Sequence, residues 1–146
     1  MSCSLMTPTT DRVSRATIFV VEDDPVLRGT LSKALEASGY RVLVAATGAD
    51  ARVLFSALQP DLIMLDLNLP DADGLNLTAS FRTLTSAPIL ICSARQGQID
   101  RVLALKLGAA DFLAKPFELD ELESRVEAVL RPSPQPDEQH TDEIQM

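Results

Sequence analysis

The feature that most constrains this chain is a rhythm of five short apolar runs, each followed by a longer stretch with apolar residues at helical spacing. A chain alternating strand and helix in this way covers both faces of a parallel sheet with its crossover helices, so an α/β fold is expected. Most runs are apolar without interruption, as strands buried on both faces require. The expected strands are Thr17–Val21, Arg41–Ala45, Leu62–Leu65, residues 88–92 and Asp111–Ala114. Asp24 should cap the first helix with its carboxylate, and Pro25 suits the first helical position, where a missing N–H costs nothing. Gly39 should end that helix, because glycine enters the left-handed conformation without a Cβ clash. The expected buried stripes are Leu27, Leu31, Ala34 and Leu35 on the first helix, and Ala51, Leu54, Phe55 and Leu58 on the second. Leu77, Phe81 and Leu84 serve the third helix, and Leu119, Leu122, Val126 and Val129 the fifth.

With 146 residues, 46% of them hydrophobic, the chain has material for one compact domain and not for two. That domain is expected over residues 17–131. Residues 1–16 are small and polar, and residues 132–146 are acidic and rich in Pro, so both ends are expected to be disordered, the second as a tail or linker. Half of the net charge of −8 comes from Asp137, Glu138, Asp142 and Glu143 in that tail. An acidic chain repels nucleic-acid phosphates, so direct nucleic-acid binding is not expected. Cys3 and Cys92 form no metal or disulfide pattern, residues 1–14 lack a signal-peptide core, and no run approaches the roughly 20 apolar residues of a membrane span. A soluble, cytoplasmic protein that does not engage a membrane is expected.

Polar residues follow four of the five strands: Glu22, Asp23 and Asp24 the first, Asp66 the third, Ser93 the fourth, Lys115 the fifth. The carboxyl edge of an open α/β sheet is where ligands bind, at the point where strand order reverses. If the order is 2-1-3-4-5, Glu22, Asp23 and Asp66 converge there, with Ser93 and Lys115 alongside. Crowded carboxylates repel one another unless they share a cation, and a hard ion with oxygen ligands, Mg²⁺, is the natural occupant. Asp66 can then act as a nucleophile toward phosphorus, Lys115 as a point charge for phosphoryl oxygens, and Ser93 as a hydroxyl bonding one of them. Taken singly each has a bland reading. An acid triplet is ordinarily a solvated turn, Ser93 a turn residue, Lys115 a surface lysine, Phe112 and Cys92 core. Only the shared rim makes them a site.

Val-Val-Glu-Asp-Asp-Pro (20–25), Leu-Asp-Leu-Asn-Leu-Pro-Asp-Ala-Asp-Gly (65–74), Cys-Ser-Ala-Arg (92–95) and Asp-Phe-Leu-Ala-Lys-Pro-Phe (111–117) together resemble the signature segments of response-regulator receiver domains of two-component signalling. The resemblance covers about residues 16–131. It implies a flavodoxin-like (βα)5 doubly wound sheet in the order 2-1-3-4-5. It also implies Asp66 as phosphoacceptor, fed by a sensor histidine kinase, with Mg²⁺ held by Asp23, Asp66 and the backbone carbonyl of Asn68, and with Glu22 acting through water. Ser93 and Phe112 resemble the family's switch pair, Lys115 its phosphoryl contact, and the Lys115-Pro116 bond is implied to be cis. Glu22, Ser93 and Phe112 replace a commoner Asp, Thr and Tyr, and the lost Tyr hydroxyl points to weaker switching. Asn68 and Arg95 flank the site and are expected to set the lifetime of the phosphoryl group.

A rival on a similar sheet is a haloacid-dehalogenase-type phosphohydrolase, which needs a general acid two residues after the nucleophile. Asn68 stands there and cannot transfer a proton, so no turnover of an external substrate is expected. A receiver-like module that binds partners without phosphorylation is disfavoured by the intact acids, Ser93 and Lys115. Nucleotide binding lacks any glycine-rich signature. The fourth helix, expected over residues 98–107, carries more apolar positions than one stripe uses, so Val102 and Leu105 should face outward. By resemblance to the OmpR/PhoB subfamily of winged-helix transcription regulators, phosphorylation would drive a homodimer through the fourth helix, fifth strand and fifth helix. Arg101 would pair with Glu121, and Asp111 with Arg125, across a two-fold axis. Ala110 and Pro132 stand where a further acid and base would pair. Transcription would be regulated through an effector domain outside these residues.

Overall fold

The structure, a computed structural model, describes residues 16–95 and 97–131, so the expectations for the two ends lie outside the described residues. Five parallel strands, β1 (Thr17–Val21), β2 (Arg41–Ala45), β3 (Leu62–Leu65), β4 (Ile89–Ser93) and β5 (Asp111–Ala114), form one sheet in the order β2-β1-β3-β4-β5. The helices between and after them are α1 (Pro25–Ala37), α2 (Gly48–Ala57), α3 (Gly74–Leu84), α4 (Gln98–Lys106) and α5 (Leu119–Leu130). This is the flavodoxin-like doubly wound topology, and the sheet order is the implied one.

Side chains alternating along each strand feed two separate cores. Phe19, Val21, Ile63, Leu65 and Ile91 pack under Phe55 of α2, Leu77 and Phe81 of α3, and Ala104 of α4. Ile18, Val20, Met64, Leu90 and Leu113 pack under Leu31 and Leu35 of α1 and Leu122 and Val126 of α5. Each fully buried Leu, Ile or Phe contributes about 1.5–3 kcal/mol against leaving it in water, so these two layers hold the sheet and fix its edge. Among the described residues no helix is long and apolar enough to cross a membrane.

The helix ends follow the local chemistry. Asp24 accepts a hydrogen bond from Val26 N at 3.0 Å, with Pro25 opening α1. At the other end Gly39 takes φ 98°, Gly39 N donates to Glu36 O and Tyr40 N to Leu35 O, which together satisfy the last turn. Gly108 (φ 114°) ends α4 in the same way, with Ala109 N donating to Ala104 O.

Several expectations are corrected. The fourth strand is Ile89–Ser93 and not residues 88–92, since Pro88 has no N–H to give the ladder while Ser93 pairs with Ala114. Leu107 caps α4 and does not extend it. Leu54, Leu84 and Leu119 are 37%, 64% and 39% exposed and do not belong to the core. Leu54 lies beside the stripe that Ala51 and Phe55 occupy, and Leu84 and Leu119 sit at helix ends, beyond the reach of the sheet.

Candidate functional site

Because β1 and β3 are neighbours, the residues following them leave the sheet side by side. Asp66 N donates to Val21 O at 3.1 Å, and Glu22 N donates to Ala45 O at 3.0 Å, so the last rung of the ladder sets where each side chain begins. Carboxylate oxygens of Glu22, Asp23 and Asp66 lie within 4.8 Å of one another. Glu22 and Asp66 are buried, Asp23 is exposed. From the end of β5 Lys115 reaches across β4, its Nζ donating to Glu22 Oε1 at 2.8 Å and to Asp66 Oδ2 at 3.3 Å. The Lys115-Pro116 peptide is cis.

Burial pushes the Glu22 carboxyl up from its ordinary value, and the Asp66 charge adds to this, while hydrogen bonds from Lys115 and from Asp24 N work the other way. Lys115 is desolvated too, which alone would lower its pKa, but its hydrogen bond to Glu22 and the charges of Asp66 and Glu22 carry it above the usual lysine value. One ammonium thus serves two buried carboxylates with a third acid close by. An all-oxygen donor set with an excess of negative charge fits a hard divalent cation, and Glu22, Asp23 and Asp66 could hold one.

The loop after β3 is tied to itself. Asn68 N donates to Asp66 Oδ1 at 3.0 Å, Asn68 bridges to Asp73, and Gly74 N donates to Leu67 O at 2.8 Å. Gly74 has no room for a side chain, because a Cβ there would lie 2.4 Å from Leu67 Cα and 2.6 Å from Asp66 O. Ser93 is fully buried and its Oγ accepts from Arg95 N at 3.0 Å. Arg95 donates to Asp100 Oδ1 at 2.9 Å and lies 3.4 Å from Asn68 Oδ1 and 3.5 Å from Asp73 Oδ1, joining this loop to the first turn of α4. A cleft of about 400 Å³ opens beside these groups, lined by Asp23, Asn68, Pro70, Asp73 and Arg95 among others. A larger groove of about 830 Å³ between α2 and α3 lies at the opposite edge of the sheet and includes none of the residues expected to act.

Glu22, Asp23, Asp66 and Lys115 are therefore brought together, with Ser93 and Asn68 at the same edge. Phe112 is buried in the core beneath α2, α3 and α4, and the Arg101 guanidinium lies 5.8 Å from its ring centroid. Val102 and Leu105 are exposed, as expected, and so are Ile99 and Leu103. Arg125 bonds Asp111 at 2.8 Å within the chain and lies 3.6 Å from Glu121, so these charges already have internal partners. Cys92 is buried, and burial drives its thiol pKa far up, in keeping with an inert filler. Three residues carry contacts that sequence reasoning missed. Arg28 donates to the carbonyls of Glu22 and Asp23 at 2.9 and 3.2 Å, Asp100 holds Arg95, and Asp71 accepts from Gly48 N and Ala49 N of α2 at 2.7 and 2.9 Å. Those two amides hold the Asp71 carboxyl below the usual carboxylate range.

A protein-family model described as the response regulator receiver domain matches residues 18–127. The chain is 42% identical over 113 residues to the TorCAD operon transcriptional regulatory protein TorR of Escherichia coli, an alignment covering 77% of this chain and 49% of that protein. It is 40% identical over 114 residues to the KDP operon transcriptional regulatory protein KdpE of the same species, covering 78% of this chain and 51% of KdpE. It thus spans about half the length of these relatives. Among solved structures, the non-phosphorylated HemR receiver domain of Leptospira biflexa superposes with a TM-score of 0.77 at 38% identity, covering 82% of this chain and 97% of that one.

Proposed function

The chain belongs to the response-regulator receiver family, and from that premise we propose that it is a phosphorylation-activated switch whose acceptor is Asp66. The observation that carries this reading is the convergence of Glu22, Asp23 and Asp66 within 4.8 Å, with Lys115 3.3 Å from Asp66. An Asp66 oxygen attacks the phosphorus of a phosphohistidine on a sensor histidine kinase. The new O–P bond forms as the P–N bond breaks, and the histidine nitrogen leaves with the electron pair. Mg²⁺, held by Asp23, Asp66 and the Asn68 carbonyl, would supply positive charge between the carboxylates and the phosphoryl oxygens. Glu22 would support the ion through water and would position Lys115, whose ammonium would meet a phosphoryl oxygen once Asp66 carries the acyl phosphate. Asn68 offers no proton two residues beyond the nucleophile, so catalytic turnover of external phosphoesters does not follow. Cytoplasmic action goes with this reading, since histidine kinases draw phosphoryl groups from ATP.

The bound group carries about −1.5 to −2 charges, and Ser93 and Lys115 are the side chains placed to sense it. Movement of the buried Ser93 toward the phosphoryl would break its bond with Arg95 N, and Phe112 would fill the space released. The altered surface of α4, β5 and α5 would then regulate transcription through an effector domain outside these residues, as the names of the relatives suggest.

Acetyl phosphate with Mg²⁺ is expected to add one phosphoryl group that survives acid and is lost in alkali, because an acyl phosphate opens its carbonyl carbon to hydroxide. Asp66→Asn removes the nucleophile and should abolish the label. Labelling of that variant at the wild-type level would put the acceptor elsewhere.

A further inference from the structure

We propose that Asp71 is a positioning residue for the phosphoacceptor loop, holding the Asn68 carbonyl at the metal site through the backbone of α2. The inference rests on the reading of Asp66 and its Mg²⁺ site given above. α2 already has its own N-cap, Thr47, whose Oγ1 accepts from Asp50 N at 3.0 Å. The first two amides of the helix, Gly48 N and Ala49 N, are instead taken by a carboxylate 23 and 22 residues farther along the chain, both bonds under 3.0 Å. Free N–H groups and the positive end of the helix dipole both favour a negative group there.

The contact is close on both sides. A Cβ on Gly48 would lie 2.7 Å from Ala72 Cβ and 3.3 Å from Asp71 Oδ1, so only glycine lets the β3–α3 loop approach α2 this nearly. Within the loop, the bonds from Asn68 N to Asp66 and from Gly74 N to Leu67, with the Asn68–Asp73 bridge, make residues 66–74 one stiff unit. Buried Leu67 and Leu69 hold that unit to the core. Asp71 ties its tip to a second element, so the placement of the Asn68 backbone, which lines the same cleft as Asp23, depends on this bond. Metal ligands are commonly oriented through such outer contacts.

The test compares Mg²⁺ affinity with stability in the full chain. Mg²⁺ alone is titrated while the Asn68 amide resonance is followed by NMR, and thermal midpoints are measured on the same samples. Asp71→Ala should weaken Mg²⁺ binding about tenfold, the lower end of what loss of a ligand-orienting contact costs. Asp71→Asn keeps one acceptor and nearly the same shape, should fold normally, and should fall between. Gly48→Ala pushes the same contact apart from the helix side and should weaken binding as well. Thr47→Ala removes the helix's own cap, so it should lower the thermal midpoint as much as Asp71→Ala while leaving Mg²⁺ affinity at the wild-type value. Unchanged affinity in Asp71→Ala, or an equal loss in Thr47→Ala, overturns the positioning role and leaves the Asp66 assignment standing. If the wild-type chain takes neither Mg²⁺ nor a phosphoryl group, the Asp66 reading falls and this inference falls with it.

Discussion

Glu22 pays for its place at the site. Its folded pKa lies above the ordinary value of 4.5, so the fold favours the neutral acid. Below the ordinary value the group is protonated in both folded and unfolded chains and contributes nothing. As pH rises from there through the raised folded value, the unfolded chain releases its proton first, and the cost of the buried charge grows until it is complete. Glu22→Gln should therefore raise the thermal midpoint of the metal-free protein at pH 7, with the gain vanishing near pH 4. A gain that stays the same at both pH values would show that charge is not the cause. The neighbouring acids differ in a way that a titration separates. Asp23→Ala should weaken Mg²⁺ binding, whereas Asp24→Ala should leave it intact and lower stability by about 1 kcal/mol through loss of the helix cap. Equal loss of Mg²⁺ affinity in both variants would mean that the metal-site assignment of Asp23 is mistaken.

The helices are held unequally, and α4 is held least. It is nine residues long and only Ala104 on it is fully buried, while α3 buries Gly74, Leu77, Thr78 and Phe81. Few buried apolar contacts mean a low free energy of local opening. Amide exchange in α4 should be faster than in α3 or α1, and phosphorylation should change it more; uniform protection across the helices would remove α4 as the mobile element. Much of this architecture was legible beforehand. Four strands coincide with the expected ranges, because uninterrupted apolar runs bounded by Gly, Pro and Asp leave little choice, and α1 starts and stops where Asp24 and Gly39 require. Periodicity says nothing about which strands lie side by side, so the order came only with the family resemblance. The acids at the strand ends were visible for the same reason the strands were. The bonds from Asp71 to α2 and from Arg28 to the Glu22 carbonyl were not, since they run from polar side chains that carry no period to backbone groups that no side-chain pattern marks, and Asp71 lies more than 20 residues from its partners. Leu54, Leu84 and Leu119 were misplaced because an apolar side chain at a helix end or beside the stripe fits the same spacing without meeting the sheet.

At the scale of the whole molecule, the exposed side of α4 and the charges around it suit a reversible contact with a second copy. Ile99, Val102, Leu103 and Leu105 are each more than 40% exposed, Arg101 lies on the same helix, and Asp111, Glu121 and Arg125 lie on the expected partner elements β5 and α5. An exposed apolar patch with a charged rim is a common form of a modest interface, and a two-fold axis repeats every contact. In the single chain these charges are already engaged: Arg125 bonds Asp111, Glu121 is near Arg125, and Arg101 covers Phe112. A dimer in which Arg101 meets Glu121 and Asp111 meets Arg125 of the other copy must exchange these contacts, so it gains little charge energy in total. On the proposed reading, the phosphorylated chain would differ in the state of Phe112. If the ring shifts when Ser93 moves, Arg101 loses the face it covers and turns toward Glu121 of the partner copy. Phosphorylation, or beryllofluoride as its mimic, is expected to shift the protein from monomer toward dimer in sedimentation experiments. Ser93→Ala should still accept some phosphoryl label yet lose that shift, which separates the chemistry from the response. Arg125→Glu should abolish the dimer by placing like charges opposite Asp111. A monomer that persists at high concentration when activated, or a dimer indifferent to Arg125→Glu, would show that this face is not the interface, and the acceptor role of Asp66 would be untouched by either result.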